Sequence, residues 1–291
     1  MHAELVRTLT SDGMRLDGAL LAGDAVETKS VDAALCLHGV GMNFYTSSTL
    51  EAVAPGLRKL GISVLLANTR GHDSLYTASV AMGRRRQGAA VEIVDECRLD
   101  VAGWCKFLME RGLASILLVG HSLGAIKAIY SQAHEPIPSV VGLIAASPPR
   151  LSCQAFKNSL ESAPFFDSLT TAEQLVKAGR GEELFLARFP FPLLISATSY
   201  IDKYGPAERY NILNFAGRIT IPALFTYGSK ELEAGGIAFA GLPEALTKLP
   251  EKRALLNVEV IAGADHNYTG CGESLANVMT KWIEGRLRAG G

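Results

Sequence analysis

One short segment limits the possible fold more than any other: Ser115-Ile-Leu-Leu-Val-Gly120-His121-Ser122-Leu123-Gly124-Ala-Ile-Lys-Ala-Ile. An apolar run of strand character enters Gly-x-Ser-x-Gly, and a helical pattern begins at once. Such a junction turns the chain sharply from strand to helix. Residues two places either side of the serine must then pass close to other backbone, which glycine tolerates because it has no Cβ. The turn lifts the Ser122 hydroxyl above a sheet, and the N-terminus of the next helix favours negative charge developing beside it. The pattern predicts a strand over 115–120 and a helix over 123–134.

The rest of the chain repeats that alternation. Residues 3–10 and 14–22 form a hairpin pattern, with Ser11-Asp12-Gly13 as its turn. Further strands are predicted over 31–38, 62–68, 140–146, 223–227 and 258–262. A helix over 47–60 is stopped by Gly61, and others cover 242–249 and 274–288. A long amphipathic helix over 91–111, ended by Gly112, puts Ile93, Cys97, Val101, Trp104 and Leu108 on one face. Strands alternating with helices predict an α/β fold: a mostly parallel sheet with helices on both faces and the opening hairpin as an antiparallel edge. Residues 150–217 break the rhythm. They are rich in Phe, Tyr, Leu and Pro, their helical patterns are short, and no buried strand is evident. The expectation is a small helical cap inserted after strand six, with 1–149 and 218–291 as the core domain. An ordinary long connection is the other reading.

Composition narrows the partners. The 291 residues suit one large α/β domain, with or without an insertion, or two small domains, and a net charge of −1 offers no attraction to nucleic acid or an anionic membrane. The five cysteines, odd in number and irregularly spaced, suggest no disulfide framework and fit a reducing compartment. No Cys/His cluster has metal-site spacing, so neither metal nor cofactor is expected. The N-terminal MHAELVRTLT has no secretory pattern, and no apolar run approaches the roughly 18 residues of a membrane span. The expected location is the cytoplasm.

A serine hydroxyl needs a base to take its proton and a third group to orient that base. Of six histidines only His266 lies late in the chain, on the loop after strand 258–262, at the sheet edge that also carries Ser122. The acid expected beside it is Glu231, in Tyr227-Gly228-Ser229-Lys230-Glu231 at the end of strand 223–227. Glu233 and Asp265 stand nearby as alternatives, although Asp265 adjoins the histidine and its side chain should point away. Two backbone N–H groups are expected to form an oxyanion hole, those of Leu123 and of Val40 in the loop Leu37-His38-Gly39-Val40-Gly41-Met42-Asn43.

Leu-His-Gly-Val-Gly, Ala67-Asn-Thr-Arg70-Gly-His72-Asp, Gly-His-Ser-Leu-Gly, Tyr-Gly-Ser-Lys-Glu and Gly-Ala-Asp-His together resemble the α/β-hydrolase superfamily in its usual order. The resemblance covers nearly all of the chain outside 150–217. It implies an eight-stranded, mostly parallel sheet and a cofactor-free triad with Ser122 as nucleophile, Glu231 as acid and His266 as base, acting through an acyl-serine. The family commonly has Asp where Glu231 stands, and the Arg70 segment is largely structural in it. The stretch Ser199–Tyr210 is more faintly similar to a branch that includes siderophore-ester hydrolases. A serine in the elbow sets the chain apart from epoxide hydrolases and haloalkane dehalogenases, which use Asp.

The expected activity is hydrolysis of a carboxylic ester of a small or medium, partly apolar molecule. Thioesterase, amidase, acyltransferase or C–C bond hydrolase chemistry on the same triad is the alternative, as is a non-enzymatic ligand-binding protein. Phe156, Phe165, Phe166, Phe185, Phe189, Phe191, Tyr200 and Tyr204 either wall an apolar pocket or merely anchor the cap. Arg84 and Arg85, in the run Arg84-Arg85-Arg86, either pair with a substrate carboxylate or form a solvated surface. Asn43 and Tyr45 are further candidates for binding substrate.

Overall fold

The computed structural model describes residues 2–80, 83–159, 162–249 and 255–287. In chain order its strands are β1 (Ala3–Leu9), β2 (Arg15–Leu21), β3 (Ala33–Leu37), β4 (Ser63–Ala67), β5 (Tyr76–Val80), β6 (Gly83–Gln87), β7 (Ile116–His121), β8 (Val140–Ala146), β9 (Leu184–Ala187), β10 (Leu193–Ser196), β11 (Ala223–Gly228) and β12 (Leu256–Ile261). The helices are α1 (Ser48–Lys59), α2 (Cys97–Glu110), α3 (Leu123–His134), α4 (Cys153–Lys157), α5 (Ser162–Lys177), α6 (Ala197–Tyr204), α7 (Ser229–Ala234), α8 (Leu242–Thr247) and α9 (Gly272–Arg286).

The central sheet has eight strands in the order β1-β2-β4-β3-β7-β8-β11-β12. The β1–β2 and β2–β4 pairings are antiparallel and the others parallel. The expected α/β architecture and its antiparallel edge are therefore present. β3 and β7, apolar at almost every position, are buried along their whole length at the sheet centre. Helices cover both faces, as parallel strands require. α1 starts where Ser47 caps the Leu50 N–H and buries Leu50, Val53, Ala54 and Leu57; α2 buries Cys97, Val101, Trp104 and Leu108 on the opposite face.

Several elements differ from the pattern reading. The long helix begins at Cys97, because residues 88–91 are drawn into turns: the Ala89 and Ala90 N–H groups donate to the Asp73 and Ser74 carbonyls, and Glu92 points inward. Ile93 therefore lies outside that helix. The predicted end of the last helix at Arg288 falls outside the described residues. Tyr76–Gln87 holds an antiparallel hairpin, β5–β6, that periodicity did not reveal. Between β8 and β11 the chain forms α4, α5, a second hairpin of β9 with β10, and α6. Ala187 and Ile195 of that hairpin are buried, so strands exist where none was expected; at four residues each they are too short to show a period.

Candidate active site

Ser122 stands between β7 and α3 with φ 56° and ψ −121°, a backbone region that non-glycine residues rarely adopt. The flanking glycines make the turn possible. A Cβ on Gly120 would lie 2.3 Å from Gly124 O, and one on Gly124 would lie 2.2 Å from Leu37 O. Any side chain at either place would push β3, the turn and α3 apart.

The Ser122 Oγ lies 2.9 Å from His266 Nε2, and His266 Nδ1 lies 2.5 Å from Glu231 Oε1. An ionised carboxylate only accepts, so the imidazole proton sits on Nδ1 and Nε2 is left to accept from the serine. Three predicted residues thus meet in one line of hydrogen bonds. Glu231 lies in the first turn of α7, just past the end of β11, and its carboxylate is buried. Asp265 turns away, its Oδ1 accepting the Asn267 and Thr269 N–H groups and so folding the loop that carries His266.

Val40 and Leu123 both face the serine's cavity. Leu123 opens α3, so its N–H has no partner along the helix. A Cβ on Gly39 would come 3.4 Å from Ser122 Cβ, which places the β3 turn directly beside the serine. His38 Nε2 accepts the Thr69 N–H at 3.2 Å, so its Nδ1–H donates to Gly39 O at 2.8 Å. In a planar trans peptide the C=O and N–H point opposite ways, so this bond also sets the direction of the Val40 N–H. Burial, helped by the Lys127 ammonium, pushes the His38 imidazole down to about 3 and keeps it neutral.

The cavity above Ser122 and His266 has a volume of about 220 Å³. Its walls are Val40 and Leu123 on one side, Pro149, Leu151, Phe156, Pro190, Phe191 and Tyr204 above, and Gly235, Ala238 and Phe239 beyond the histidine. The Phe239 ring packs 5.3 Å from that of His266. Among the described residues no carboxylate and no lysine or arginine lines it. Phe156, Phe191 and Tyr204 join the site; Phe165, Phe189 and Tyr200 pack among themselves and their neighbours and anchor the segment.

Four other candidates do not join it. The Asn43 amide donates to Asp73 at 2.8 Å and its oxygen accepts the Tyr45 N–H, so it closes a loop. Tyr45 is 71% exposed. Arg84 and Arg85 are carried into solvent on β6, where Arg85 meets Glu96 at 3.3 Å. Strand pairing in the β5–β6 hairpin takes them away from the cavity. Arg70, by contrast, is fully buried against Asp100, Glu96 and Asp12, a structural role.

One contributor sat inside the motif unnoticed. His121 donates from Nε2 to the His266 carbonyl at 2.8 Å and so holds the loop bearing His266. Burial pushes His121 down to about 4, which keeps it a neutral donor. Nothing in the sequence distinguishes this from an arbitrary residue between Gly120 and Ser122.

Among the described residues no group of acidic, histidine or cysteine side chains has the arrangement to hold a metal ion, and no helix is long and apolar enough to cross a membrane. No protein-family model matches the chain, and no curated protein sequence matches it. Solved structures do. An α/β hydrolase, GrgF from Penicillium sp. sh18, shares 16% identity over 99% of each chain, with a TM-score of 0.69. Est1E from Butyrivibrio proteoclasticus, solved with ferulic acid bound, shares 16% identity over 96% of this chain and 98% of its own, at 0.66. The Pyrococcus furiosus esterase Pf2001 shares 16% over 98% and 92%, at 0.64. At such identities the likeness is one of fold, and the fold is that of the α/β hydrolases.

Proposed function

We propose that this chain of α/β-hydrolase fold is a serine esterase, cleaving carboxylic esters of small or medium, partly apolar molecules. The observation that carries the reading is the line Ser122–His266–Glu231 opening into an apolar cavity. Esterases among its structural neighbours agree with it.

In the proposed reaction Ser122 Oγ attacks the ester carbonyl while His266 Nε2 takes the serine proton. Glu231 holds the Nδ1–H tautomer and faces the imidazolium that forms. The Val40 and Leu123 N–H groups receive the carbonyl oxygen as its charge grows, a contribution of about 3–4 kcal/mol per donor where such donors have been removed. The C–O bond to the alcohol breaks, His266 returns its proton to the alkoxide, and an acyl-serine remains. Water, deprotonated by His266, then attacks the acyl carbon and releases the acid. In this reading residues 150–217 act as a cap over the cavity, supplying Phe156, Phe191 and Tyr204. The reading includes a small-molecule partner, no nucleic acid, no cofactor and a cytoplasmic location, the last resting on the cysteine pattern.

A fluorophosphonate probe is expected to label wild-type protein on Ser122, as located by mass spectrometry, and to leave Ser122→Ala unlabelled. Matched ester, thioester and amide substrates then rank the bond cleaved, with the ester expected fastest. Labelling that persists in Ser122→Ala, or ester turnover unchanged in it, would overturn the proposal.

A further inference from the structure

Glutamate is longer than aspartate by one methylene, so holding one carboxylate oxygen leaves an extra torsion to be restrained. The second oxygen of Glu231 shows how this is done. Oε2 accepts the Ser147 hydroxyl at 2.7 Å and the Gly228 N–H at 3.2 Å. Ser147 Oγ also lies 2.9 Å from the Tyr268 hydroxyl, which lies 2.8 Å from Thr226 Oγ1.

The direction of these bonds follows from counting protons. Each hydroxyl has one to donate, and an ionised carboxylate has none. The Ser147 proton goes to Glu231, so Tyr268 must donate to Ser147 and Thr226 to Tyr268. All four side chains are buried, none of these residues being more than 4% exposed. Water therefore does not compete for these bonds, and each donor polarises the next. Burial pushes the Tyr268 phenol well up, which keeps its proton in place.

The members come from separate parts of the chain. Ser147 directly follows β8, Thr226 lies within β11, and Tyr268 stands two residues beyond His266. Ser147 and Tyr268 have φ of 50° and 55°, a left-handed backbone that costs energy in residues other than glycine. Neither borders the cavity.

We infer that Ser147 and Tyr268 are positioning residues for the proposed ester hydrolysis, a one-way chain of hydroxyls that holds Glu231 on His266 and ties the loop of the base to the strand of the acid. The inference rests on the functional reading above. The chain acts through Glu231 and touches no substrate, so it governs turnover and not substrate binding.

The test uses the full-length protein, Ser147→Ala and Tyr268→Phe, with p-nitrophenyl butyrate as substrate. Ser147→Ala is expected to lower kcat about ten- to a hundredfold, the worth of a hydrogen bond to a charged group, with KM within about twofold. Tyr268→Phe is expected to lower kcat by about three- to tenfold, again at constant KM. The downfield proton resonance of the His266–Glu231 bond should move upfield in both. Folded variants that keep wild-type kcat and an unmoved resonance would overturn the inference. Should Ser147→Ala fail to fold, Tyr268→Phe decides, since it removes one hydroxyl and keeps the ring. Should wild type neither label at Ser122 nor turn over esters, the functional reading falls, and the resonance alone still decides the chain of hydroxyls.

Discussion

Two buried carboxylates, Glu231 and Glu92, have neighbours that give them opposite roles. Glu231 is surrounded by neutral donors, the Ser147 hydroxyl and the Gly228 N–H, with His266 at its other oxygen. Its charge is left facing the imidazole. Glu92 instead stands 2.5 Å from the Lys127 ammonium and 3.4 Å from that of Lys203, all three about 1% exposed. Burial alone would raise its carboxyl, but Lys127 and Lys203 bring it down to about 2. Lys127 also donates to Thr69 Oγ1 and Lys203 to the Ala89 carbonyl. That charge is neutralised where it stands. Lys127 belongs to α3, the helix that follows Ser122, and Lys203 to α6, which ends at the cavity residue Tyr204. One network ends openly at His266 and Ser122; the other closes on itself and joins α3 to α6. The lesson is that burial of a carboxylate says little until the charge of its partners is known.

The comparison can be broken most decisively at Glu231. Glu231→Gln offers His266 Nδ1 an amide and favours the wrong tautomer, so kcat is expected to fall roughly 10³–10⁴-fold. The urea midpoint should move little. Steady-state kinetics beside urea unfolding would check both. If activity survived, Glu231 would be only a packing residue.

Glu92→Gln should do the reverse. It leaves two buried ammonium groups without an anion, at a cost of about 3–5 kcal/mol in urea unfolding. Turnover per folded molecule should stay within about threefold of wild type. A variant as stable as wild type would show that the Glu92 cluster carries no structural weight.

The smallest effect sharpens the contrast through pH. His38 and His121, held down to about 3 and about 4, stay neutral in the fold, whereas an unfolded histidine titrates near 6.5. As pH falls below about 6.5 the unfolded chain binds protons that the native chain refuses, so stability drops. Each histidine should contribute a slope of about 1.4 kcal/mol per pH unit between roughly pH 6 and 5, present above the unfolded value and lost on acidification. His121→Gln, which keeps a donor near the His266 carbonyl, should flatten the slope by one proton in unfolding measured across that range. An unchanged slope would mean that His121 takes up its proton within the fold.

Much of this was legible beforehand because it depends on local chemistry. The clash that Gly120 avoids is with Gly124, four residues on, so the turn at Ser122 is legible in five letters; the clash that Gly124 avoids is with Leu37 of β3, far off in the chain. Alternating apolar runs report burial of strands on both faces, so the sheet followed. Glu231 and His266 could be placed because strand ends in such a sheet share an edge. Arg84, Arg85, Asn43 and Tyr45 went astray for the opposite reason. Nearness in sequence to a loop of the site does not fix where they point: a hairpin carries Arg84 and Arg85 away, a bond to Asp73 holds Asn43, and Tyr45 stands exposed to solvent.

By itself, then, the sequence determined the layered architecture, the strained serine turn and the identity of its two partners, because hydrophobic period and the clash that Gly120 avoids act over short stretches of chain. Only the tertiary structure decided which residues support them. Ser147 meets Glu231 across 84 positions, Tyr268 meets Thr226 across 42, and His121 meets His266 across 145. Hydrogen bonds between such distant groups leave no period in the sequence, since each needs only one polar atom at one point in space.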